Sequence, residues 1–356
     1  MHVVYTAHHK LHATADVQVE GLPFDTEELP ARAEIILAAA RSAGLGPVIE
    51  PTDHGLEPVL ALHDPDYVTF LQTAYTDSAA HFGEAGPVFT WTFAPRYAQR
   101  KPHGLLGLKG YYAFGWGSPI LEGTWPAAYW SVQCALTAAD RVRSGELASY
   151  ALCRPPGHHA AADLYGGFCY LNNAAIAARY LQGAGERIAI LDVDYHHGNG
   201  TQLLFYDDPT VLYCSLHVHP DQDYPYYWGE ADELGEGPGH GYNRNWPLPR
   251  GTDDVQYLTT LDEALAAIDR FAPGYLVLSA GLDTIAGDPA GGFELTIDGL
   301  AQVSTRIAAL GLPAVIVQEG GYLLERLGES AVAFLQPWAT LSDAGEPRRG
   351  EDLGRR

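Results

Sequence analysis

The sequence predicts a single α/β domain: a mostly parallel central sheet with helices on both faces and long functional loops at the carboxyl ends of the strands. Three observations predict it. Five short apolar, β-branched runs (Tyr150–Cys153, Ile188–Val193, Val211–Leu216, Tyr275–Ser279 and Ala314–Gln318) alternate with segments of helical spacing, the pattern of βα units. Each run gives way at once to polar residues. No internal repeat and no linker divides the chain, and 356 residues with 47% apolar content supply one large core.

In chain order, His2–Tyr5 reads as an opening strand. His8, His9 and His12 follow it without a carboxylate cluster, so they read as loop or pocket-rim residues rather than metal ligands. Thr26–Ala43 has helical spacing through Ile35, Ile36 and Leu37, with Gly44 as its C-cap. Asp64 and Pro65 open a helix that reaches about Tyr75, aspartate as N-cap and proline in the first turn. Asp77–Gly123 is the least regular stretch, rich in Gly, Pro and aromatics, with a basic cluster at Arg96, Arg100 and Lys101. A loop of that length inside a domain is functional or an interface. Thr124–Arg143 is helical again, capped by Thr124 with Pro126 in its first turn. Later helices fall near Asn172–Leu181, Thr201–Tyr206, Asp254–Ile268, Ile297–Leu310 and Leu323–Phe334. The domain is placed at residues 1–341, and 342–356 form a charged tail.

The formal net charge of −23 opposes binding to nucleic acid and to anionic membranes, and suits a cationic substrate. Cys134, Cys153, Cys169 and Cys214 show no C-x-x-C spacing and read as reduced thiols of a cytoplasmic protein. MHVVYTAHHK lacks the pattern of a secretory signal, and no apolar run is long enough to span a bilayer.

The chemistry concentrates at the strand ends. In RIAILDVDYHHGNG (Arg187–Gly200), an apolar strand stops and Asp192, Asp194, His196 and His197 arrive within a few residues. Strand side chains alternate, so Asp192 and Asp194 start on one face with His196 next in that register. An acidic turn is the ordinary reading, but titratable groups at a buried strand end are costly to desolvate without a metal or partners. RPPGHHA places His158 and His159 beyond a stiff Pro155–Pro156 turn; AGLDTIAGDP places Asp283 and EGGY places Tyr322 soon after their strands. In open α/β sheets ligands bind outside the carboxyl ends of the strands, so these residues converge on one crevice.

Asp194, His196 and Asp283 make three protein ligands with an open position, the pattern of catalytic zinc. Such an ion polarises a carbonyl and lowers the pKa of bound water. His158 and His159 supply general base and general acid, with Asp192 and Asn199 as candidate orienting partners. Tyr322 is a phenol donor for an oxyanion, and Gly320 and Gly321 let its loop approach closely. Singly, a His-His pair is ordinarily structural, an Asp after a strand is a helix cap and G-G-Y is a loop. Their order at successive strand ends points instead to hydrolysis.

RPPGHHA, GGFCYLNNAAIAA, LDVDYHHGNGTQ, SLH, AGLDTIAGDP and EGGY resemble the histone deacetylase superfamily, over roughly Tyr150–Leu335. Ala33–Ala39 and HDPDYVTFL (His63–Leu71) extend the resemblance upstream. The resemblance implies an arginase/deacetylase-like fold and a zinc amidohydrolase that removes an acyl group from an amine. It maps zinc onto Asp194, His196 and Asp283, the paired histidines onto His158 and His159, and the catalytic tyrosine onto Tyr322. Asp192 would orient His158 and Asn199 would contact His159, where many relatives carry Asp; a neutral amide supports imidazolium less. Gly167, Phe168 and Tyr224 would line the acyl-amine channel. Potassium is implied at Asp192, Asp194, His196, Ser215 and Leu216, and at the backbone carbonyls of Phe205, Asp208, Val211 and Tyr242. Iron(II) accepts the same Asp/His/Asp set as zinc.

The Asp77–Gly123 loop, with KGYYA and GTW at its end, looks most like that of bacterial acetylpolyamine amidohydrolases. There the loop builds a dimer and narrows the entrance, which implies a homodimer and a small cationic acylated amine as substrate. Some of those enzymes read the substrate's distal ammonium with an acid in this loop. Here Gly110–Pro119 holds none, and Glu122 is the nearest one after it. Acetyl-lysine in proteins or peptides is the alternative substrate. An arginase-like two-metal ureohydrolase and a non-catalytic acyl-amine binding module are the remaining readings.

Overall fold

The computed structural model describes residues 1–19, 22–24, 26–94, 100–183 and 185–344. Its strands are β1 (His2–Val4), β2 (Gln18–Val19), β3 (Leu22–Pro23), β4 (Val48–Ile49), β5 (Ala148–Ala151), β6 (Ile188–Asp192), β7 (Val211–Val218), β8 (Asn243–Leu248), β9 (Tyr275–Ala280) and β10 (Ala314–Gln318). Its α-helices are α1 (Ala31–Ser42), α2 (Glu57–Leu60), α3 (Pro65–Phe82), α4 (Leu105–Tyr111), α5 (Thr124–Arg143), α6 (Asn173–Gln182), α7 (Asn199–Phe205), α8 (Asp254–Phe271), α9 (Ile297–Ala308) and α10 (Leu324–Ala344).

The central sheet runs β4-β1-β5-β10-β9-β6-β7-β8, and all its pairings are parallel; β2 and β3 form a separate antiparallel pair. The sheet is apolar on both faces, which is why its inner strands read as unbroken apolar runs. Along β6, Ala189 and Leu191 join the core under α1, α8, α9 and α10, whereas Ile188 and Ile190 join the core under α5 and α6. No helix of the described residues is long and apolar enough to cross a membrane. The four cysteines are free and buried.

Several boundaries differ from the sequence reading. The first helix begins at Ala31 rather than Thr26, because Pro30 stands before it and a residue preceding proline is steered away from the α conformation. α3 continues past Tyr75 to Phe82, where Gly83 at φ 77° closes it. Thr124 is the first residue of α5 rather than its cap: its hydroxyl accepts the Leu121 N–H at 2.7 Å and lies 2.9 Å from His12 Nδ1. The Asp77–Gly123 stretch is more regular than expected. It holds the end of α3, all of α4 and a Val88–Ile120 bridge. Lys101 pairs with Asp66, and Arg96 lies outside the described residues. β4 and β8 were not expected, and NRNWPL in β8 explains why: a polar strand carrying Pro247 is tolerated at a sheet edge.

His8 and His12 keep to turn or bend positions as expected, but His9 and His12 are interior rather than rim residues. His8 and His9 belong to a short 3-10 turn, Ala7–Leu11, and His9 and His12 are buried. His9 lies 2.9 Å from Glu34, and His8 stacks on Trp130. Ser342–Ala344 continue α10, and the rest of the tail, 345–356, lies outside the described residues.

Candidate active site

β5, β10, β9 and β6 are consecutive in the sheet, and their carboxyl ends deliver His158 and His159, Glu319 to Tyr322, Asp283, and Asp192 to His196 respectively. The predicted convergence is therefore a property of neighbouring strands.

β6 ends at Asp192, one residue before the predicted end, so the extended register does not persist to His196. A staircase of side-chain turns replaces it: Asp192 Oδ1 accepts the Asp194 N–H at 3.2 Å, and Asp194 Oδ1 accepts the His196 N–H at 2.9 Å. The D-x-D-x-H spacing thus folds the backbone back on itself. It sets Asp192 against His158 Nδ1 and Asp194 beside His196, with Asp194 Oδ1 still 3.8 Å from His158 Nε2. His197 packs in the interior against His217, away from the cluster.

His196 Nδ1 lies 3.2 Å from both Asp194 Oδ1 and Asp283 Oδ2. Backbone amides brace the carboxylates from behind: Gly320 donates to Asp194 Oδ2 at 2.8 Å and Tyr195 to Asp283 Oδ1 at 3.0 Å. Gly320 is required there, since a Cβ would stand 2.1 Å from Asp283 Oδ2. Asp283 Oδ2 is buried and has no hydrogen-bond partner. Burial and the Asp194 charge push the Asp283 pKa up. Burial would also raise that of Asp194, but His158 and His196 hold it down. Burial opposes the His196 cation, and the two aspartates more than compensate. Two carboxylates and an imidazole around an unsatisfied oxygen, with ligand atoms within 4.8 Å of one another, fit a divalent cation.

The paired histidines are held differently. His158 Nδ1 meets Asp192 Oδ2 at 3.0 Å, and that carboxylate also accepts the Tyr213 hydroxyl at 3.2 Å. Burial would depress the His158 pKa, but Asp194 and Asp192 lift it to about 10. His159 Nδ1 meets Asn199 Oδ1 at 2.7 Å, while Asn199 Nδ2 donates to the His159 carbonyl at 3.4 Å. That orientation fixes Oδ1 as the acceptor, so His159 carries its proton on Nδ1. Burial, His158 and His196 together push the His159 pKa down. The two imidazoles are thereby pushed in opposite directions, His158 toward the cation and His159 toward the neutral form.

A cavity of about 500 Å³ opens above this cluster. His159, His196 and Tyr322 reach it from below; Gly167, Phe168, Tyr224 and Phe114 wall it. Gly167, at φ 55°, passes so close to His159 that a Cβ would sit 2.3 Å from the ring. Phe168 also has positive φ, 66°, with its N–H donated to Ser118 Oγ at 2.8 Å. Phe114 stacks on Tyr224 at 5.7 Å.

Sequence reasoning missed the groups that hold the Tyr322 loop. Arg32, in α1, donates to the carbonyls of Gly321 (2.6 Å) and Glu319 (2.7 Å), and its guanidinium carbon lies 4.4 Å from the Tyr322 ring centre. Glu28 joins Arg32 at 3.0 Å to Arg154 at 2.8 Å, all three buried. Arg154 in turn donates to the carbonyls of His9 (2.6 Å) and His12 (2.9 Å). Asp288 accepts the N–H groups of Tyr322 and Leu323, and Glu319 those of Gly157 and His158. Burial raises the Tyr322 pKa, which keeps its phenol a donor. Arg154 and Glu319 lie inside motifs already singled out, and charged residues beside apolar strands were the available signal.

Of the positions tied to potassium, Asp192 and Ser215 are register neighbours on β6 and β7, and Ser215 Oγ lies 2.8 Å from His217 Nδ1. Phe205 ends α7, Asp208 lies in the turn after it and Val211 opens β7, and Tyr242 O accepts the Tyr213 N–H just beyond.

The histone deacetylase domain matches residues 26–337. The chain belongs to this family. It is 46% identical over 337 residues to acetylpolyamine amidohydrolase 1 of Pseudomonas aeruginosa, covering 94% of this chain and 97% of that one. Acetylpolyamine amidohydrolase of Mycoplana ramosa is 41% identical, over 94% of this chain and 99% of that protein. The crystal structure of acetylpolyamine aminohydrolase from Burkholderia pseudomallei superimposes with a TM-score of 0.90 at 42% identity, covering 96% of this chain and 99% of that one. Histone deacetylase family members are metal-dependent amidohydrolases, in keeping with the acidic cradle at β6 and β9.

Proposed function

We propose that the chain deacetylates N-acetylated polyamines and similar small amines, with zinc held by Asp194, His196 and Asp283. The carrying observation is the meeting of these three side chains with His158, His159 and Tyr322 around one cavity, in a chain similar from end to end to acetylpolyamine amidohydrolases. Asp194, His196 and Asp283 would hold the zinc, and when bound it would supply Lewis acidity for the acetyl carbonyl and for a water. His159, neutral with its Nε2 lone pair free, takes the proton from the attacking water and returns it to the amine as the C–N bond breaks. His158, cationic against Asp192, supplies positive charge beside the tetrahedral centre. Tyr322 donates its phenol proton in a hydrogen bond to the oxyanion. Gly167, Phe168 and Tyr224 hold the methylene chain and exclude water.

Iron(II) suits the same donors, and metal analysis of purified protein separates the two. Two manganese per chain would instead favour ureohydrolase chemistry. Potassium is assigned to the Asp192–Ser215 region and to the α7–β7 turn. The protein pairs as a homodimer through residues 77–123, a reading supported by exposed Phe82, Trp91, Leu106 and Trp116. The test is turnover of acetylputrescine and acetylcadaverine against an acetyl-lysine peptide on metal-quantified protein. Preference for the small amines is expected. Equal or faster peptide turnover overturns the polyamine reading, and no amide hydrolysis overturns the enzyme reading.

A further inference from the structure

We propose that Glu27 reads the distal ammonium of the substrate at the cavity mouth, an inference that rests on the polyamine reading above. The described side chains lining the cavity include a single carboxylate, Glu27; the rest of the wall is mainly aromatic residues and glycine, with His159 and His196 below. An acetylated diamine whose amide lies against Tyr322 and His159 carries its free ammonium several methylenes away, toward the opening. Residues 110–119 offer that cation only aromatic faces and no acid. Glu122 lies elsewhere, in a separate hollow with Leu11, Tyr75 and Pro87.

The backbone explains why Glu27 faces the cavity. Its neighbour Glu28 is drawn inward and buried between Arg32 and Arg154. Local bonds pin the same turn: Glu28 N–H to Thr26 Oγ1 at 3.3 Å, Leu29 N–H to the Glu27 carbonyl at 3.0 Å, and Thr14 Oγ1 to the Glu28 carbonyl at 2.5 Å. With Glu28 fixed inside, Glu27 is presented outward, half-buried, on the cavity wall. Phe24 meets Trp116, another wall residue, with ring centres 5.6 Å apart, so this turn and the 110–119 segment form one rim. The aromatic faces beside this carboxylate favour a cation as well. The Arg32–Glu28–Arg154 cluster thus does two things: it holds the Tyr322 loop, and it sets where Glu27 stands.

The test compares kcat/KM for an N-acetylated α,ω-diamine and for the N-acetylated alkylamine of equal length, in wild type, Glu27→Gln and Glu27→Lys. Wild type is expected to prefer the diamine, less so as salt rises. Glu27→Gln should lower diamine kcat/KM roughly fivefold, through KM, the upper range for a half-exposed ion pair. Glu27→Lys should lower it further. Turnover of the neutral amide should be unchanged in both variants, which also reports that the fold and chemistry are intact. Equal losses on both substrates, or none on either, overturn the assignment of Glu27. A wild type with no preference for the diamine overturns the polyamine reading itself, and this proposal with it.

Discussion

Glu28→Gln tests the buried charge cluster most directly. Glu28 is 1% exposed, Arg32 2% and Arg154 1%, so removing the carboxylate leaves two guanidinium groups in the interior without a counter-ion. Breaking a buried pair in this way costs about 3–5 kcal/mol. Glutamine keeps one acceptor, and the carbonyls of Gly321, Glu319, His9 and His12 remain, which places the loss near the lower end, about 3 kcal/mol. For a chain of 356 residues that lowers Tm by roughly 4 °C. The pH dependence has a definite sign. Burial raises the Glu28 pKa, but Arg154 and Arg32 bring it below the ordinary carboxylate value. Its stabilisation is therefore fully present above about pH 4.5 and lost as pH falls through the lower folded-state value. The difference between wild type and variant, followed by circular dichroism, should be constant from about pH 5 to 8 and shrink below about pH 4. Because Arg32 holds the Tyr322 loop, kcat should fall as well. A variant melting within about a degree of wild type at neutral pH would refute the reasoning.

Tyr322→Phe should lower kcat by about 10²–10³ with zinc content unchanged, and equal activity would remove the phenol from the mechanism. Asp283→Asn should reduce bound zinc. In wild type, zinc at about a thousand times its Kd should restore roughly 4 kcal/mol to chelator-treated protein, a gain the variant lacks. Asn199→Asp places a carboxylate on His159 Nδ1, which favours the imidazolium and raises its pKa. Less of the neutral base then exists at a given pH, so the acid limb of the kcat/KM profile should move upward. An unchanged profile would remove His159 as the base.

The inner strands were legible because a sheet covered on both faces needs unbroken apolar runs, and the site because its residues follow those runs within a few positions. β8 was not legible, since NRNWPL carries neither signal. The split between Asp192 and Asp194 depends on side-chain turns that alternation does not encode. Arg32 and Arg154 could be seen as charges in apolar surroundings. Their shared partner Glu28, 126 residues before Arg154, is fixed by the meeting of distant elements, and no local pattern announces it. His9 and His12 misled for the same reason: their burial follows from contacts with Glu34 and Thr124.

β10 is the last strand in the chain, yet it lies in the middle of the sheet between β5 and β9. In a nascent polypeptide the sheet therefore lacks this inner strand until residues 314–318 have been synthesised. The amide that braces Asp194 and the tyrosine phenol both arrive directly behind that strand. A chain cut short before β10 would therefore lack both the central strand of the sheet and these two groups of the candidate site.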